Sequence, residues 1–470
     1  MNNEYIYLKV NGLLSFINQK NQIMDFKENK PSRREFLETA TALGIIGAIG
    51  SGSFLASCTS RKERYESPLF LDRAPNGPVL KAGLIGCGGR GTGAAINFLN
   101  AGPNLQITAL GDVFQDRLDR CRESLKEQRD VDIPDQNCYL GFDAYKRVID
   151  SGVDVVILAT PPHFRPEHFE AAVQARKHAF IEKPCAVDPV GARSIMASGK
   201  MAESAGLTVV SGTQLRHARD YNATFGMIKN GAIGHLITGN ALRFGGKLWH
   251  RYRQSEWSDM EAMLRDWVNW RWLSGNCWVE QFVHHIDVMN WFFEKFPSEA
   301  VGNGGRHRRP TGDQYDFFSV DYTFDDKRKY YGMHRQINGC YNNMGHLIYG
   351  TEGYTNCQNR IFDYDNNLIW EYEYPKDEEG QSTNSLSVSM TDQSHINLVS
   401  AIRTNKPVNE ANRMASSTLA AIMGREAAYT GQQVTWDDMM SSGMRLGPTE
   451  YSMGPVDIKP EAPVPGTAAT

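Results

Sequence analysis

The sequence predicts an α/β domain built on a parallel sheet, followed by a second domain that is rich in strands. A glycine-rich turn between a strand pattern and a helix pattern, near residue 85, is the first observation behind this prediction. The second is the alternation of strand and helix patterns up to residue 211, which is typical of parallel sheets. From about residue 217 longer strand-like runs dominate, and 470 residues are enough for two such domains with appendages.

The glycine-rich turn has a recognisable function. The strand-like run 79–85 leads into Gly86-Cys87-Gly88-Gly89-Arg90-Gly91, and residues 92–99 have helical spacing. The first glycine permits the tight turn, the second lets the backbone approach a pyrophosphate, and Gly91 lets the helix pack close to the strand. This is the fingerprint of a Rossmann domain, so we predict dinucleotide contacts from Gly86, Gly88, Gly89, Arg90 and Gly91.

An acidic residue stands where the adenosine ribose of a dinucleotide is expected. Asp112 ends the next strand pattern, 106–110, and lies 21 residues after Gly91. A carboxylate at this point favours NAD, because it repels the 2′-phosphate of NADP. Arg117 lies near the same end and keeps NADP possible; the alternative for Asp112 is a turn or helix-cap residue.

Further candidate residues follow the next strand patterns, 154–160 and 178–181. In a parallel sheet, ligands bind at the carboxyl ends of the strands. Thr160, Pro161, Glu182 and Lys183 stand at such ends, and we predict that they face the cofactor. For Lys183 the alternative is a surface lysine in a turn before proline.

These motifs, in this order, resemble the Gfo/Idh/MocA oxidoreductases over residues 79–438. The resemblance implies NAD(P)-dependent hydride transfer on a sugar hydroxyl, with Lys183 beside the nicotinamide and the substrate, and His163 near the nicotinamide ribose. It also implies an α+β second domain with a large, open, mostly antiparallel sheet. One face of that sheet would carry the substrate side and the other an oligomer contact, so we expect a homo-oligomer.

The segment Glu280-Gln281-Phe282-Val283-His284-His285-Ile286-Asp287 resembles the family's Asp-x-Gly-x-His-x-x-Asp segment. By that resemblance His284 is the catalytic histidine, while Glu280 and Phe282 depart from the family's aspartate and glycine. A helix over 279–293 would put Glu280, His284 and Asp287 on one face, where a histidine near a carboxylate can carry a proton. Lys183 would orient the hydroxyl and stabilise the oxyanion.

Several residues of the second half are open to two interpretations. Gln214, Arg216 and His285 either contact substrate or have ordinary structural roles, and the same alternative applies to His284 by itself. Six tryptophans between residues 249 and 278 either form platforms for sugar rings or anchor a loop on the core.

The N-terminal region predicts export. Residues 32–37 read Ser-Arg-Arg-Glu-Phe-Leu, a twin-arginine signal, and a weakly apolar run 39–57 ends at Cys58, a candidate lipidation site. We expect a periplasmic, membrane-anchored lipoprotein; a buried N-terminal helix is the alternative. Outside the cytoplasm no free NAD pool exists, so the enzyme would have to hold its cofactor tightly.

The predicted divisions are a signal region 1–58, a linker 59–78, the NAD-binding domain 79–213, the substrate domain 214–440 and a tail 441–470 that is disordered after Pro455. A net charge of −4 without a basic patch argues against nucleic acid as a partner. The eight scattered cysteines indicate neither a metal site nor a disulfide scaffold.

Three functions remain after these observations. The leading one is a sugar dehydrogenase. The alternative is an NAD-dependent glycoside hydrolase that oxidises a sugar carbon transiently, although the hydrolase branch with a Tyr-Pro-Thr-His segment lacks the lysine that this chain has at Lys183. A non-enzymatic sugar-binding protein is the third.

Overall fold

The computed structural model describes residues 64–467, so the predicted export signal at 32–37 and Cys58 lie outside the described residues. The first sheet contains six parallel strands. They are β1 (Leu80–Ile85), β2 (Leu105–Asp112), β3 (Cys138–Leu140), β4 (Val155–Leu158), β5 (His178–Ile181) and β6 (Val209–Ser211). Their order, β3-β2-β1-β4-β5-β6, is that of a Rossmann fold, and it confirms the predicted fold class of the first domain.

Helices connect these strands and cover both faces of the sheet. They are α1 (Gly89–Asn100), α2 (Gln115–Arg129), α3 (Ala144–Asp150), α4 (Arg165–Gln174) and α5 (Pro189–Ser204). Along β4, Val155 and Ile157 pack into one hydrophobic core, whereas Val156 and Leu158 pack into the core on the other face. This two-sided burial explains why the strand reads as a continuous apolar run.

The second sheet has nine strands. They are β7 (Leu236–Gly245), β8 (Glu299–Gly305), β9 (Phe317–Thr323), β10 (Lys329–Gln336), β11 (Asn343–Gly350), β12 (Tyr354–Thr355), β13 (Arg360–Phe362), β14 (Leu368–Glu371) and β15 (Val434–Thr435). Their order is β14-β13-β12-β11-β7-β10-β9-β8-β15, and β7 with β10 is the parallel pair in an otherwise antiparallel sheet. The predicted mostly antiparallel sheet is thus confirmed.

Eight helices accompany the second sheet within the described residues. They are α6 (Arg219–Lys229), α7 (Asp259–Arg265), α8 (Arg271–Ser274), α9 (Cys277–Glu280), α10 (Val283–Phe293), α11 (Met390–Arg403), α12 (Ala411–Thr430) and α13 (Trp436–Ser441). The long α12 is buried along almost its whole length between α5 and β8, so it ties the two sheets together. None of the helices in 64–467 is both long and apolar enough to cross a bilayer.

Two sequence predictions about secondary structure and order are wrong, one for residues 279–293 and one for the tail. The helix expected over 279–293 is interrupted, because Gln281 and Phe282 form a turn between α9 and α10 in which the Phe282 amide contacts the carbonyls of both Cys277 and Trp278. Glu280 and His284 therefore lie in separate helices. The tail after Pro455 is also ordered: Tyr315 donates to the Pro463 carbonyl at 2.6 Å, a contact that the Pro- and Ala-rich composition did not indicate.

Candidate active site

A cleft with a volume of about 430 Å³ opens at the carboxyl ends of β1, β2 and β4. Among its lining residues are Gly86, Gly88, Gly89, Arg90, Gly91, Asp112, Thr160 and Pro161, which are all predicted cofactor contacts. The structure thus brings these residues together in one place, at the strand ends where dinucleotides bind in Rossmann folds.

The glycines make this cleft fit a dinucleotide. A Cβ on Gly91 would lie 1.8 Å from the Gly86 carbonyl oxygen, and Gly86 itself has a φ of +98°. A side chain on Gly91 would force α1 away from β1, and a Cβ on Gly86 would lie 2.6 Å from the Thr160 amide nitrogen just after β4. Gly89, in contrast, has nothing within 4 Å of its would-be Cβ, so the N-terminus of α1 is open for phosphate.

Asp112 is held at the end of β2 by the loop that it faces. Its Oδ2 accepts from the Cys87 amide at 2.7 Å and its Oδ1 from the Phe114 amide at 3.0 Å. Burial raises the pKa of Asp112, and these two bonds and Arg117 oppose that rise. The carboxylate is fixed beside the cleft, as the predicted ribose contact requires.

Arg90 and Glu182 form an ion pair that joins α1 to the end of β5. Arg90 Nε lies 2.6 Å from Glu182 Oε1, and Glu182 is almost fully buried. The second oxygen of Glu182 accepts from the Lys183 amide at 3.2 Å. Glu182 therefore positions both the glycine-rich loop and the backbone of the candidate catalytic lysine.

Arg165 is a positioning residue that the sequence reasoning missed. It is buried, and its guanidinium donates to the carbonyls of Thr160 and Glu182, both at 2.8 Å, and to that of Pro184. Burial lowers the pKa of Arg165 to about 10, so the group stays charged. One side chain thus holds the ends of β4 and β5 together below the site.

Replacing Arg165 by methionine should lower the free energy of unfolding by about 3 kcal/mol, because three buried carbonyls would lose their donor. Urea denaturation followed by circular dichroism measures this change. Arg120→Met is the control, since Arg120 makes an exposed ion pair with Asp116 that contributes little. Equal effects of the two substitutions would contradict the positioning role.

Lys183 reaches the second domain. Its ammonium group donates to the Glu280 carbonyl oxygen at 2.7 Å and to Glu280 Oε1 at 2.8 Å, while Gln281 donates to Oε2 of the same carboxylate. Burial alone would raise the pKa of Glu280, but Lys183 and Gln281 lower it below its ordinary value. An ammonium group has three hydrogens, so one remains for a substrate oxygen.

His284 lies beside this pair as a neutral base. Burial, then the charges of Lys183 and Arg243, hold its pKa well below the usual range. Its Nδ1 is buried without a hydrogen-bond partner. The pairing expected between His284 and Asp287 is absent in the structure, because Asp287 binds Arg216 at 2.8 Å and Ser417 at 2.7 Å.

Four other predicted site residues lie elsewhere or are engaged in the core. Arg216 is nearly buried in its ion pair with Asp287 and stacks on Trp291 at 4.9 Å. His285 packs between Phe282 and His346 in the core. His163 binds the Tyr451 hydroxyl at 2.7 Å, outside the lining of the cleft, and Gln214 lies in a short turn after β6. The ligand roles of these residues stay predictions.

The tryptophans lie in different surroundings, and a platform for sugar rings stays a prediction. Trp272 and Trp278 are buried and anchor the core, as the structural alternative predicts. Trp249 and Trp267 line the cofactor cleft.

Within 64–467, no cluster of three or more His, Cys, Asp or Glu side chains is placed to hold a metal ion.

Buried neutral histidines make the fold sensitive to acid. Burial lowers the pKa of His163, His168, His334 and His346 to about 3, and that of His395 to about 4. The unfolded chain takes up these protons near pH 6.5, so stability is fully present above about pH 6.5 and is lost as the pH falls toward 3. Each histidine contributes about 1.4 kcal/mol per pH unit within that window.

We therefore expect Tm to fall steeply between pH 6 and pH 4 in thermal melts. His346→Gln should make the decline shallower, whereas substitution of the exposed His235 by glutamine should leave it unchanged. A flat Tm across this range would show that the histidines are already charged in the folded protein.

Residues 80–213 match the family model described as "Oxidoreductase family, NAD-binding Rossmann fold", named for Gfo, Idh and MocA. Among curated proteins, a glycosyl hydrolase family 109 protein of Streptomyces coelicolor is 32% identical over 33% of this chain and 34% of its own length. A second, from Shewanella sp. W3-18-1, is 26% identical over 44% of this chain and 45% of its own length. The chain thus matches less than half of the length of each of these curated relatives.

Solved structures with the same fold cover more of the chain. Scyllo-inositol dehydrogenase from Lactobacillus casei, with NAD(H) and scyllo-inositol bound, aligns with a TM-score of 0.56 and 19% identity, over 76% of this chain and 99% of its own. The WlbA dehydrogenase from Bordetella pertussis, in complex with NADH and UDP-GlcNAcA, aligns with a TM-score of 0.57 and 16% identity, over 76% of this chain and 98% of its own. Both predicted domains therefore occur together in known folds. Residues 80–213 of this chain are thus similar in sequence to the NAD-binding Rossmann domain of the Gfo/Idh/MocA oxidoreductases.

Proposed function

We propose that the protein is an NAD(P)-dependent oxidoreductase that acts on a secondary hydroxyl of a sugar or sugar derivative, with a tightly held dinucleotide. One observation carries the proposal: Lys183, at the end of β5, is held by Glu280 of the second domain, beside the neutral His284. The site thus joins a proton acceptor and a fixed cation at the strand ends of an NAD-binding domain.

His284, Lys183 and Glu280 have different roles in the oxidation of the alcohol. His284 takes the hydroxyl proton on Nε2, and Lys183 uses its remaining hydrogen to hold the substrate oxygen and stabilise its developing negative charge. Glu280 fixes the ammonium group of Lys183. NAD, when bound, accepts the hydride that the carbinol carbon gives up. In the reverse direction the same groups return the proton to a carbonyl oxygen.

Denaturing the purified protein and identifying the released nucleotide by mass spectrometry tests the cofactor. Near one NAD or NADH per chain supports the proposal, and the protein is then screened against sugars and polyols for a change in nicotinamide absorbance. A protein that neither contains nor binds NAD or NADP would overturn it and favour a sugar-binding role.

A glycoside hydrolase with transient oxidation is the second candidate, because the curated relatives named above are called glycosyl hydrolase family 109 proteins. Oxidation at one sugar carbon acidifies the neighbouring C–H, so elimination and rehydration in D₂O would leave deuterium in the product. A simple dehydrogenase leaves that carbon unlabelled. Release of the leaving alcohol with deuterium incorporation and no net change of NAD would select the hydrolase.

Export and lipid attachment complete the proposal, and both depend on residues outside the described range. Replacing Arg33 and Arg34 by lysine should keep the protein in the cytoplasm, and Cys58→Ser should release it from the membrane fraction.

We also propose a homo-oligomer through the outer face of the second sheet, where Val301, Phe317 and Tyr331 are exposed. Light scattering measures that assembly.

A further inference from the structure

A third hydrophobic core lies apart from the two cores of the sheets. Its buried members are Phe164, Met260, Met263, Leu264, Trp272 and Leu273. They come from the Rossmann domain and from the insertion 246–273 that follows β7. Partly buried residues of the tail, among them Leu446, Tyr451 and Val456, pack against them. We call the insertion together with the tail segment 446–458 the wall.

The wall faces the adenosine half of the cofactor cleft. Trp249, Arg251, Leu264 and Trp267 of the insertion line the same cleft as Asp112, the predicted ribose contact. Phe114 and Phe142 of the Rossmann domain line the same region. Aromatic side chains thus approach the place of the adenine from both domains, an arrangement that suits a flat aromatic base.

Two positively charged side chains in this region favour the binding of an anion. Arg117 and Arg251 both line the cleft, and burial together with the nearby charge of Arg251 lowers the pKa of Arg117. The carboxylates of Asp112 and Asp116 oppose this lowering of the Arg117 pKa, but within residues 64–467 neither Arg117 nor Arg251 forms an ion pair, since Asp116 pairs with Arg120 and Arg265. The phosphates of a dinucleotide are the chemistry that would neutralise these two cations.

Polar contacts fix the wall to the Rossmann domain. Arg265 reaches Asp116 at 3.2 Å and lies over the Phe114 ring at 4.1 Å. On the tail side, the Leu446 amide donates to Asp188 at 2.8 Å. Opening the cleft at the adenosine end therefore requires a packed core to separate, and not merely a surface loop to move.

The tail also holds the insertion. The Met260 amide donates to the Gly454 carbonyl at 3.1 Å, and the Val456 amide donates to Asp259 at 3.2 Å. The Tyr451 hydroxyl binds His163 at 2.7 Å and so links the tail back to the Rossmann domain. The insertion, the tail segment and the Rossmann domain are thus each in contact with the other two.

We propose that the wall closes over the adenosine half of bound NAD and makes the dinucleotide a resident group that does not exchange with free coenzyme during turnover. This inference rests on the proposed function and assigns Trp249, Arg251, Leu264 and Trp267 to the cofactor site. Because the wall is part of a folded core, loss of NAD is limited by local opening of that core.

The test is an exchange experiment that does not depend on substrate. The purified holoprotein is mixed with excess isotopically labelled NAD, free nucleotide is removed at intervals, and the protein-bound nucleotide is released and measured by mass spectrometry. Wild-type protein should keep unlabelled NAD for hours. Trp267→Ala should exchange at least tenfold faster, and Tyr451→Phe, which keeps the ring and removes only the hydroxyl, should also exchange faster.

The matched control is Trp436→Ala, since Trp436 is half-buried and stacks on Phe296 away from the cleft. It should exchange as slowly as wild type. Rapid exchange in the wild-type protein would overturn the wall and the tight hold on the dinucleotide, but it would leave the proposed hydride transfer on a sugar hydroxyl intact. Equal rates in wild type and both wall variants would overturn the wall alone. A protein that binds no dinucleotide at all would overturn both.

Discussion

Substitution of Lys183 by methionine is expected to lower kcat about a hundredfold or more, with NAD still bound. Methionine keeps the length of the side chain but removes the cation that would stabilise the substrate oxygen. Lys183 is absent from the lining of the cofactor cleft, so the nucleotide content should not change. Turnover of the substrate found by the sugar screen and nucleotide content per chain are the two measurements.

Loss of Lys183 also leaves the buried Glu280 without its cation, which by itself destabilises a fold. The double variant Lys183→Met with Glu280→Gln removes that charge and separates catalysis from stability. It should melt close to wild type and stay inactive. An exposed lysine on α5, Lys200, gives the matched single control. Recovery of activity in the double variant would show that Lys183 serves stability alone.

Gly91→Val should abolish NAD binding and lower Tm by several degrees. The new Cβ would lie 1.8 Å from the Gly86 carbonyl oxygen, a distance that no packing adjustment of side chains can relieve, because the neighbour is backbone. Helix α1 must then move, and the phosphate-binding turn moves with it. Calorimetry with added NAD and thermal melts measure the two effects.

The control is Gly93→Ala, two residues further along the same helix. There the added Cβ meets only the end of the Arg90 side chain, at 3.5 Å, which is ordinary contact. Alanine is also the better helix former, so Tm should rise slightly. Retention of NAD by the valine variant at position 91 would contradict the assignment of the glycine-rich turn.

The first domain could be predicted from the sequence because its signals are local. Gly86, Gly91 and Asp112 occur within one strand–helix–strand unit, and their spacing alone carries the geometry of the phosphate turn. The apolar runs of β4 and β5 are similarly explained by burial on both faces. The structure confirms the parallel sheet and the place of these residues.

The parts that could not be predicted depend on contacts between distant residues. Arg165 binds carbonyls 17 and 19 residues away, and Lys183 meets Glu280 across 97 residues. Periodicity over 279–293 failed to show the turn at Phe282, because the packing of that ring against His334 of β10 is a tertiary contact. The wall joins segments that no local pattern connects.

Under the proposed wall, the position of the tail in the chain sets when the cofactor can enter. Synthesis proceeds from the N-terminus, so every strand of the first sheet has emerged by Ser211, whereas Leu446 and Tyr451 follow about ten seconds or more later at ordinary translation rates. During that interval the phosphate turn exists without the wall. Under the proposed wall, the dinucleotide pool around the ribosome decides which coenzyme this protein carries for the rest of its life.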